Sequence, residues 1–152
     1  TLKKNVNGKK CYHLGTKRDE DLIEGFEKNK ASLEKCDFIL CTGLFENEEI
    51  SLDYYKNLLR KYTILKMICT NPDLIVRRGS RSEYCAGTLA LTFEELGGKV
   101  VYFGKPYPEI YNFCIKKNET ILVIGDNIRT DIRVANNMKF DSLLVTGVLH
   151  KD

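Results

Sequence analysis

Two histidines, three prolines and no C-x-x-C pair are all that this 152-residue chain offers of the usual metal-binding and turn-forming residues. Each shortage excludes something. The six cysteines, at positions 11, 36, 41, 69, 85 and 114, lack the close ligand spacing of a zinc site. A thiol nucleophile would need a base, and neither His13 nor His150 stands in a motif that supplies one. His13, within Cys11-Tyr12-His13-Leu14-Gly15, reads as a strand or loop residue. No apolar run approaches the ~18 residues of a membrane span, and no signal-peptide core is visible, so the expected setting is the cytoplasm. There the cysteines are expected as buried, reduced thiols, since several lie in or beside apolar runs or, like Cys114, in a helical pattern. Excess charge of one sign is also missing. A net +3 with scattered lysines implies neither a nucleic-acid nor a membrane partner. Repeats, low-complexity tracts and a glycine-rich phosphate loop after the first strand are absent too, which argues against a P-loop or dinucleotide-binding domain.

What is present is an ordinary globular composition, 43% hydrophobic and 30% charged, enough for one or two small domains. Strands are expected over residues 10–14, 37–41 and 63–69. Helical patterns follow the first two, over 19–29 (Leu22, Ile23, Phe26) and over 51–62, the latter capped by Ser51. Three such β/α repeats predict a parallel sheet covered by helices. From Leu74 the pattern changes to an antiparallel hairpin around Gly79, then a helix over 86–96 closed by Gly97-Gly98. A strand at 100–103, a helix over 108–117 opened by Pro108, a strand at 121–124, a helix from near Thr130 to Met138 and a last strand at 142–145 complete the reading.

The stretch Thr120 to Arg133 organises the rest. Its short β-branched run stops at Gly125-Asp126, and a strand–loop–helix unit puts such a loop on the carboxyl edge of a sheet, where open α/β folds bind ligands. Asp126 at the strand tip and Asp131 in the first helical turn are hard oxygen donors of the kind Mg2+ prefers. Turn and N-cap roles for Asp126 and Thr130-Asp131 fit this spacing equally well. Lys105, in Gly104-Lys105-Pro106, falls at the end of the preceding strand, on the same rim if the two strands are parallel neighbours.

Gly104-Lys105-Pro106 followed by Gly125-Asp126-Asn127-Ile128-Arg129-Thr130-Asp131 resembles the third and fourth motifs of haloacid-dehalogenase (HAD) superfamily phosphatases. Val145-Thr146-Gly147, Asn71-Pro72-Asp73 and Cys85-Ala86-Gly87-Thr88 resemble the NagD-like subfamily IIA with an α/β cap. The implied fold class is α/β and HAD-like, with a cap domain of type C2 over 1–102 and the C-terminal half of a Rossmann-like three-layer core over 103–152. The resemblance implies a Mg2+-dependent phosphomonoester hydrolase working through an aspartyl-phosphate. Lys105 would steady the phosphoryl group and the nucleophile, Asp126 would ligate Mg2+, and Asp131 would support the metal shell. Asn127 and Arg129 would shape the loop. Asn71 and Asp73 would contact the substrate from the cap, with Thr42-Gly43 on a parallel loop as weaker candidates. Arg77, Arg78 and Arg81 read as a solvated hairpin. The implied partner is a small phosphorylated metabolite, with no nucleic acid and no membrane, and a homodimer is compatible with such a cap.

The sequence departs from that family at two points, lacking both the D-x-D motif of the first core strand and the Thr or Ser after the next strand that binds the phosphoryl group. Such phosphatases place D-x-D at the end of the first core strand, and the D-x-D here, Asp19-Glu20-Asp21, lies in a charged run that reads as a helix start. The expectation is a fragment without the aspartate nucleophile, inactive alone, whose residues after about 102 leave one sheet edge and one apolar face bare. The alternative is a non-catalytic binding or regulatory remnant of the fold.

Overall fold

The computed structural model describes residues 8–25, 27–46, 51–79, 81–108, 110–116 and 118–146. Phe26, Ser80, Lys117, Gly147 and His150 lie outside the described residues. Four parallel strands, β1 (Cys11–Leu14), β2 (Phe38–Cys41), β3 (Lys66–Cys69) and β6 (Lys99–Tyr102), form a sheet in the order β1-β2-β3-β6. They run in a single register, with Leu14, Cys41, Cys69 and Tyr102 level across it. The carboxyl ends of all four strands therefore share one rim.

Alternation sorts the side chains of this sheet onto two faces. Ile39, Cys41, Met67 and Cys69 pack with Tyr55, Leu59, Leu89 and Phe93 of two helices, α1 (Leu52–Leu59) and α2 (Ala86–Glu95). Ser51 caps α1, its hydroxyl accepting from the Tyr54 amide at 3.4 Å. The helix closes as a 3-10 turn, Arg60–Tyr62. After α2 the chain turns through Gly97 at φ +91°, a conformation open to glycine without a Cβ clash. The opposite face carries Cys11, Phe38, Leu40 and Ile68, covered by Ile23 and Phe103.

The segment that supplies Ile23 corrects one expectation. In place of a helix over 19–29 there are two 3-10 turns, Lys17–Ile23 and Glu27–Asn29. The break falls at Gly25, φ +80°, and among the described residues Ile23 is buried while Leu22 stays 52% exposed. Local glycine chemistry outweighs a periodicity too short to nucleate a helix. Asp19 and Asp21 lie in the first of these turns, beyond the tip of β1 and not at it.

The hairpin is as expected: β4 (Ile75–Arg78) pairs antiparallel with β5 (Arg81–Tyr84). After β6 the expected helix over 108–117 reduces to a 3-10 turn, Tyr111–Phe113, among the described residues, with Phe113 72% exposed. Then β7 (Leu122–Gly125) pairs in parallel with β8 (Asp141–Leu144) across α3 (Arg133–Met138). Val123 and Val134 are buried between them, whereas Leu122, Ile124, Leu143 and Val145 remain exposed. Among the described residues β7 pairs with β8 alone. The bare edge and the uncovered apolar face are thus both present. No helix among the described residues is long and apolar enough to cross a membrane.

The cysteines form no disulfide among the described residues, and Cys11, Cys41, Cys69 and Cys85 are buried. Burial drives the Cys69 thiol up to about 12, out of reach of thiolate chemistry. Cys114 departs from the expectation and is exposed, because the turn at 111–113 has no second helical turn to cover it.

Candidate active site

The strands carrying Lys105 and Asp126 are not neighbours: β6 ends the four-stranded sheet and β7 belongs to the pair β7-β8. The two motifs meet all the same, through side chains. Lys105 Nζ donates to Asp131 Oδ1 at 2.7 Å. Asp131 Oδ2 accepts from the Asn127 amide at 3.2 Å, so both carboxylate oxygens are engaged. Asp131 is 5% exposed, while the Lys105 side chain is 42% exposed.

Local sequence explains how Asp131 reaches this position. Asn127 caps the turn after β7, its Oδ1 accepting from the Arg129 amide at 2.9 Å. The cap is therefore Asn127 and not Thr130-Asp131. The chain then winds as a π-turn over Ile128–Ile132 before α3 begins. That wide turn, of a kind often found at functional sites, swings Asp131 back over Gly125. A Cβ at Gly125 would stand 2.2 Å from Asp131 Cγ, so only glycine leaves room for the carboxylate.

Asp73 approaches from the other side. The Asn71-Pro72-Asp73 turn is braced by α2: the Gly87 amide donates to Asp73 O at 3.1 Å, and the Thr88 hydroxyl to Leu74 O at 2.6 Å. Asn71 Oδ1 accepts from the Asp73 amide at 3.1 Å, so its side chain shapes the turn. Asp73 Oδ1 is buried without a hydrogen-bond partner among the described residues, as is Thr130 Oγ1 beside Asp131. Burial raises the Asp73 pKa above the usual carboxylate value, Lys105 opposes that, and Asp131 and Asp126 reinforce it. For Lys105 burial lowers the pKa, but Asp131 and then Asp73 outweigh it and leave the ammonium more basic than usual. Four charged side chains from three loops thus act on one another at one rim.

A cavity of about 410 Å3 opens there, lined by Thr70, Asn71, Asp73, Lys105, Tyr111 and Cys114 among others. Asn71, Asp73 and Lys105 were expected at the site. Tyr111, Cys114 and Thr70 were not; Thr70 was legible as the residue following a strand end, whereas the turn at 111–113 left no periodic signal. Thr42 stands at the end of β2, hydrogen-bonded to His13 and Asp19, apart from Lys105.

Similarity to known proteins agrees with this geometry. A family model of HAD-hydrolase-like proteins matches residues 102–152. Over 93 residues the chain is 33% identical to ribonucleotide monophosphatase NagD of Escherichia coli (strain K12), covering 57% of this chain and 36% of that protein. The crystal structure of a haloacid dehalogenase-like hydrolase from Brucella suis 1330 shares 31% identity and a TM-score of 0.85, over 93% of this chain and 59% of that one. The p-nitrophenyl phosphatase from Archaeoglobus fulgidus matches 97% of this chain and 58% of its own at TM-score 0.70. Its 19% identity speaks for the fold alone.

The fold and the Lys105–Asp131 rim resemble those of the HAD-like hydrolase superfamily, whose family model matches residues 102–152. Within it, the resemblance is to the NagD-like phosphatases, of whose curated sequence the chain spans about a third, 36%.

Proposed function

We propose that this chain carries the Mg2+-binding and phosphoryl-binding half of a phosphomonoester hydrolase site. Residues 1–102 are read as its α/β cap and 103–152 as part of its core. The observation that supports this most is the Lys105–Asp131 bond, which joins the third and fourth family motifs across two separate sheets.

A free ammonium proton set is what Lys105 brings. One of its three donors is given to Asp131, and the others are available to phosphoryl oxygens. Its raised pKa keeps it charged at neutral pH. Among the described residues no three His, Cys, Asp or Glu side chains form a metal-holding group. Mg2+ does not require one, because it keeps several waters and takes one or two carboxylates plus substrate phosphate. Asp126 fits as a direct ligand. Asp131, with both oxygens already engaged, fits as an outer partner that orients Lys105 and metal-bound water. Bound Mg2+ would offset charge on the phosphoryl oxygens and so favour attack at phosphorus. Asp73, braced on α2, is read as facing the substrate from the cap side.

Among the described residues no aspartate is read as standing where the attacking carboxylate belongs. Asp19 and Asp21 sit in a 3-10 turn, and Asp126 is assigned to the metal. On this reading the nucleophile comes from a segment this chain does not contain, and the chain alone turns over no substrate. The substrate is a small phosphorylated metabolite, and six cysteines outside any disulfide among the described residues suit a cytoplasmic setting.

The test is phosphate binding by the full chain at millimolar Mg2+, followed by calorimetry or NMR. Wild type is expected to bind inorganic phosphate only with Mg2+ present, Asp126→Asn to lose the Mg2+ requirement together with the affinity, and Lys105→Ala to weaken binding at least tenfold. Equal phosphate affinity in wild type and Lys105→Ala would overturn the proposal, as would steady p-nitrophenyl phosphate hydrolysis by Asp126→Asn.

A further inference from the structure

A second polar cluster lies on the same carboxyl rim, two and three strands away from β6. His13 from β1, Thr42 from the end of β2 and Asp19 from the turn after β1 converge there. His13 Nε2 lies 2.8 Å from Thr42 Oγ1, and Thr42 Oγ1 donates to Asp19 Oδ2 at 3.3 Å. Thr16 Oγ1 donates to the same Asp19 oxygen at 3.1 Å. The cluster depends on its shape: a Cβ at Gly15 would stand 1.9 Å from Thr42 Oγ1 and 2.9 Å from His13 Nε2.

Hydrogen counting fixes what this cluster offers. An ionised aspartate only accepts, so the Thr42–Asp19 bond uses the one hydroxyl hydrogen that Thr42 has. His13 must then donate from Nε2, which leaves Nδ1 of a neutral ring as an acceptor. Burial first, and Lys30 next, lower the His13 pKa, while Glu20 and Asp19 oppose them. Asp19 binds the hydroxyl and not the imidazole, the reverse of the order that would activate a nucleophile. Binding, not attack, is the chemistry available.

By alternation His13, Thr42 and Thr70 fall on the same face of the sheet as Cys11, Leu40 and Ile68. Thr70 gives its hydroxyl hydrogen to Cys41 O at 3.4 Å, so it too faces a ligand as an acceptor. The row His13–Thr42–Thr70 leads across the strand ends toward Lys105. Three spacings of about 4.8 Å separate β1 from β6, roughly 14 Å in all. The row presents acceptors, and it sits at the ligand-binding edge of an open parallel sheet.

We propose that His13, Thr42 and Asp19 form a distal subsite that accepts hydrogen bonds from hydroxyl groups of an extended phosphomonoester whose phosphate lies at Lys105. This rests on the phosphoryl-site reading above and names its substrate class: a polyol-like or sugar-like leaving group, in preference to an alkyl or a second anionic one.

Two probes of similar length separate these classes, sorbitol 6-phosphate and hexyl phosphate. Their dissociation constants for the full chain with Mg2+ can be measured by NMR titration, with inorganic phosphate as reference. Wild type is expected to favour sorbitol 6-phosphate at least fivefold. Thr42→Val and His13→Ala are expected to bring that ratio close to one, and Thr42→Ser to keep it. A wild-type ratio of one, or an unchanged ratio in folded Thr42→Val, overturns the subsite while Lys105-dependent phosphate binding still stands. Failure of inorganic phosphate to bind wild type removes both. Should Thr42→Val lose its dispersed spectrum, the wild-type ratio and Thr42→Ser decide.

Discussion

Gly87 is the second residue of α2, and replacing it by alanine tests how the Asn71-Pro72-Asp73 turn is held. Helix propensity alone favours the change by about 1 kcal/mol. The structure predicts the opposite sign. A Cβ at Gly87 would meet Pro72 O at 2.2 Å, Asp73 O at 2.5 Å and Pro72 C at 2.6 Å. All three are backbone atoms, so no rotamer change relieves the overlap. Overpacking of this kind costs roughly 1–3 kcal/mol. Pushing the turn away also breaks the 3.1 Å bond from the Gly87 amide to Asp73 O, worth about 1 kcal/mol. Against the propensity gain, the net is a loss of about 2 kcal/mol. With a urea m-value near 2 kcal/mol/M, the unfolding midpoint of Gly87→Ala should fall by about 1 M. A midpoint equal to or above that of wild type would mean that the turn does not rest on α2, and the placement of Asp73 at the rim would go with it.

The aspartate loop should respond in the same way. Gly125→Ala sets a Cβ 2.2 Å from Asp131 Cγ, so it should lower the urea midpoint by the ~1–3 kcal/mol of overpacking, and Lys105→Ala added to it should cost less than it does in wild type. Strict additivity in that double-mutant cycle would show that the two positions do not share Asp131. His13 carries a pH signature: its folded pKa lies below the unfolded value of about 6.5, so the unfolded chain binds the extra proton first. Stability is then fully present above about pH 6.5 and is lost as pH falls through the lower folded pKa, and His13→Gln should show a smaller loss than wild type between pH 7.5 and 5.5.

What the sequence revealed of this fold was what repeats or what chemistry punctuates. The strands at Cys11, Phe38 and Lys66 each carry a short apolar run closed by a polar or glycine residue, and all three form within a residue or a few of their expected limits. Gly97 and Ser51 act as the caps their positions suggest. The segments 19–29 and 108–117 have apolar residues at helical spacing, yet among the described residues they form 3-10 turns. Ile23 packs on one sheet face in the first, and Phe113 stays exposed in the second. Periodicity shows which residues would be buried if a neighbour existed, and it says nothing of whether one does.

The site was legible in composition but not in route. Lys105 and Asp126 are expected on one rim if their strands are parallel neighbours, and the strands are not neighbours. The contact runs instead through Asp131, brought back over Gly125 by a π-turn that no propensity scale marks. This has a consequence for ligand binding. Lys105 is rooted at the end of the four-stranded sheet, and Asp131 in the loop after β7, so their bond ties the two sheets at the rim where a phosphate would bind. On the proposed reading, an arriving phosphoryl group would not have to displace Lys105 from Asp131, because an ammonium carries three donors and Asp131 uses one. Burial first, and then the Asp131 and Asp126 carboxylates, hold Asp73 above its ordinary pKa against the opposing effect of Lys105. On the proposed reading, phosphate at Lys105 would add negative charge beside Asp73 and push its pKa in the same direction as those carboxylates do.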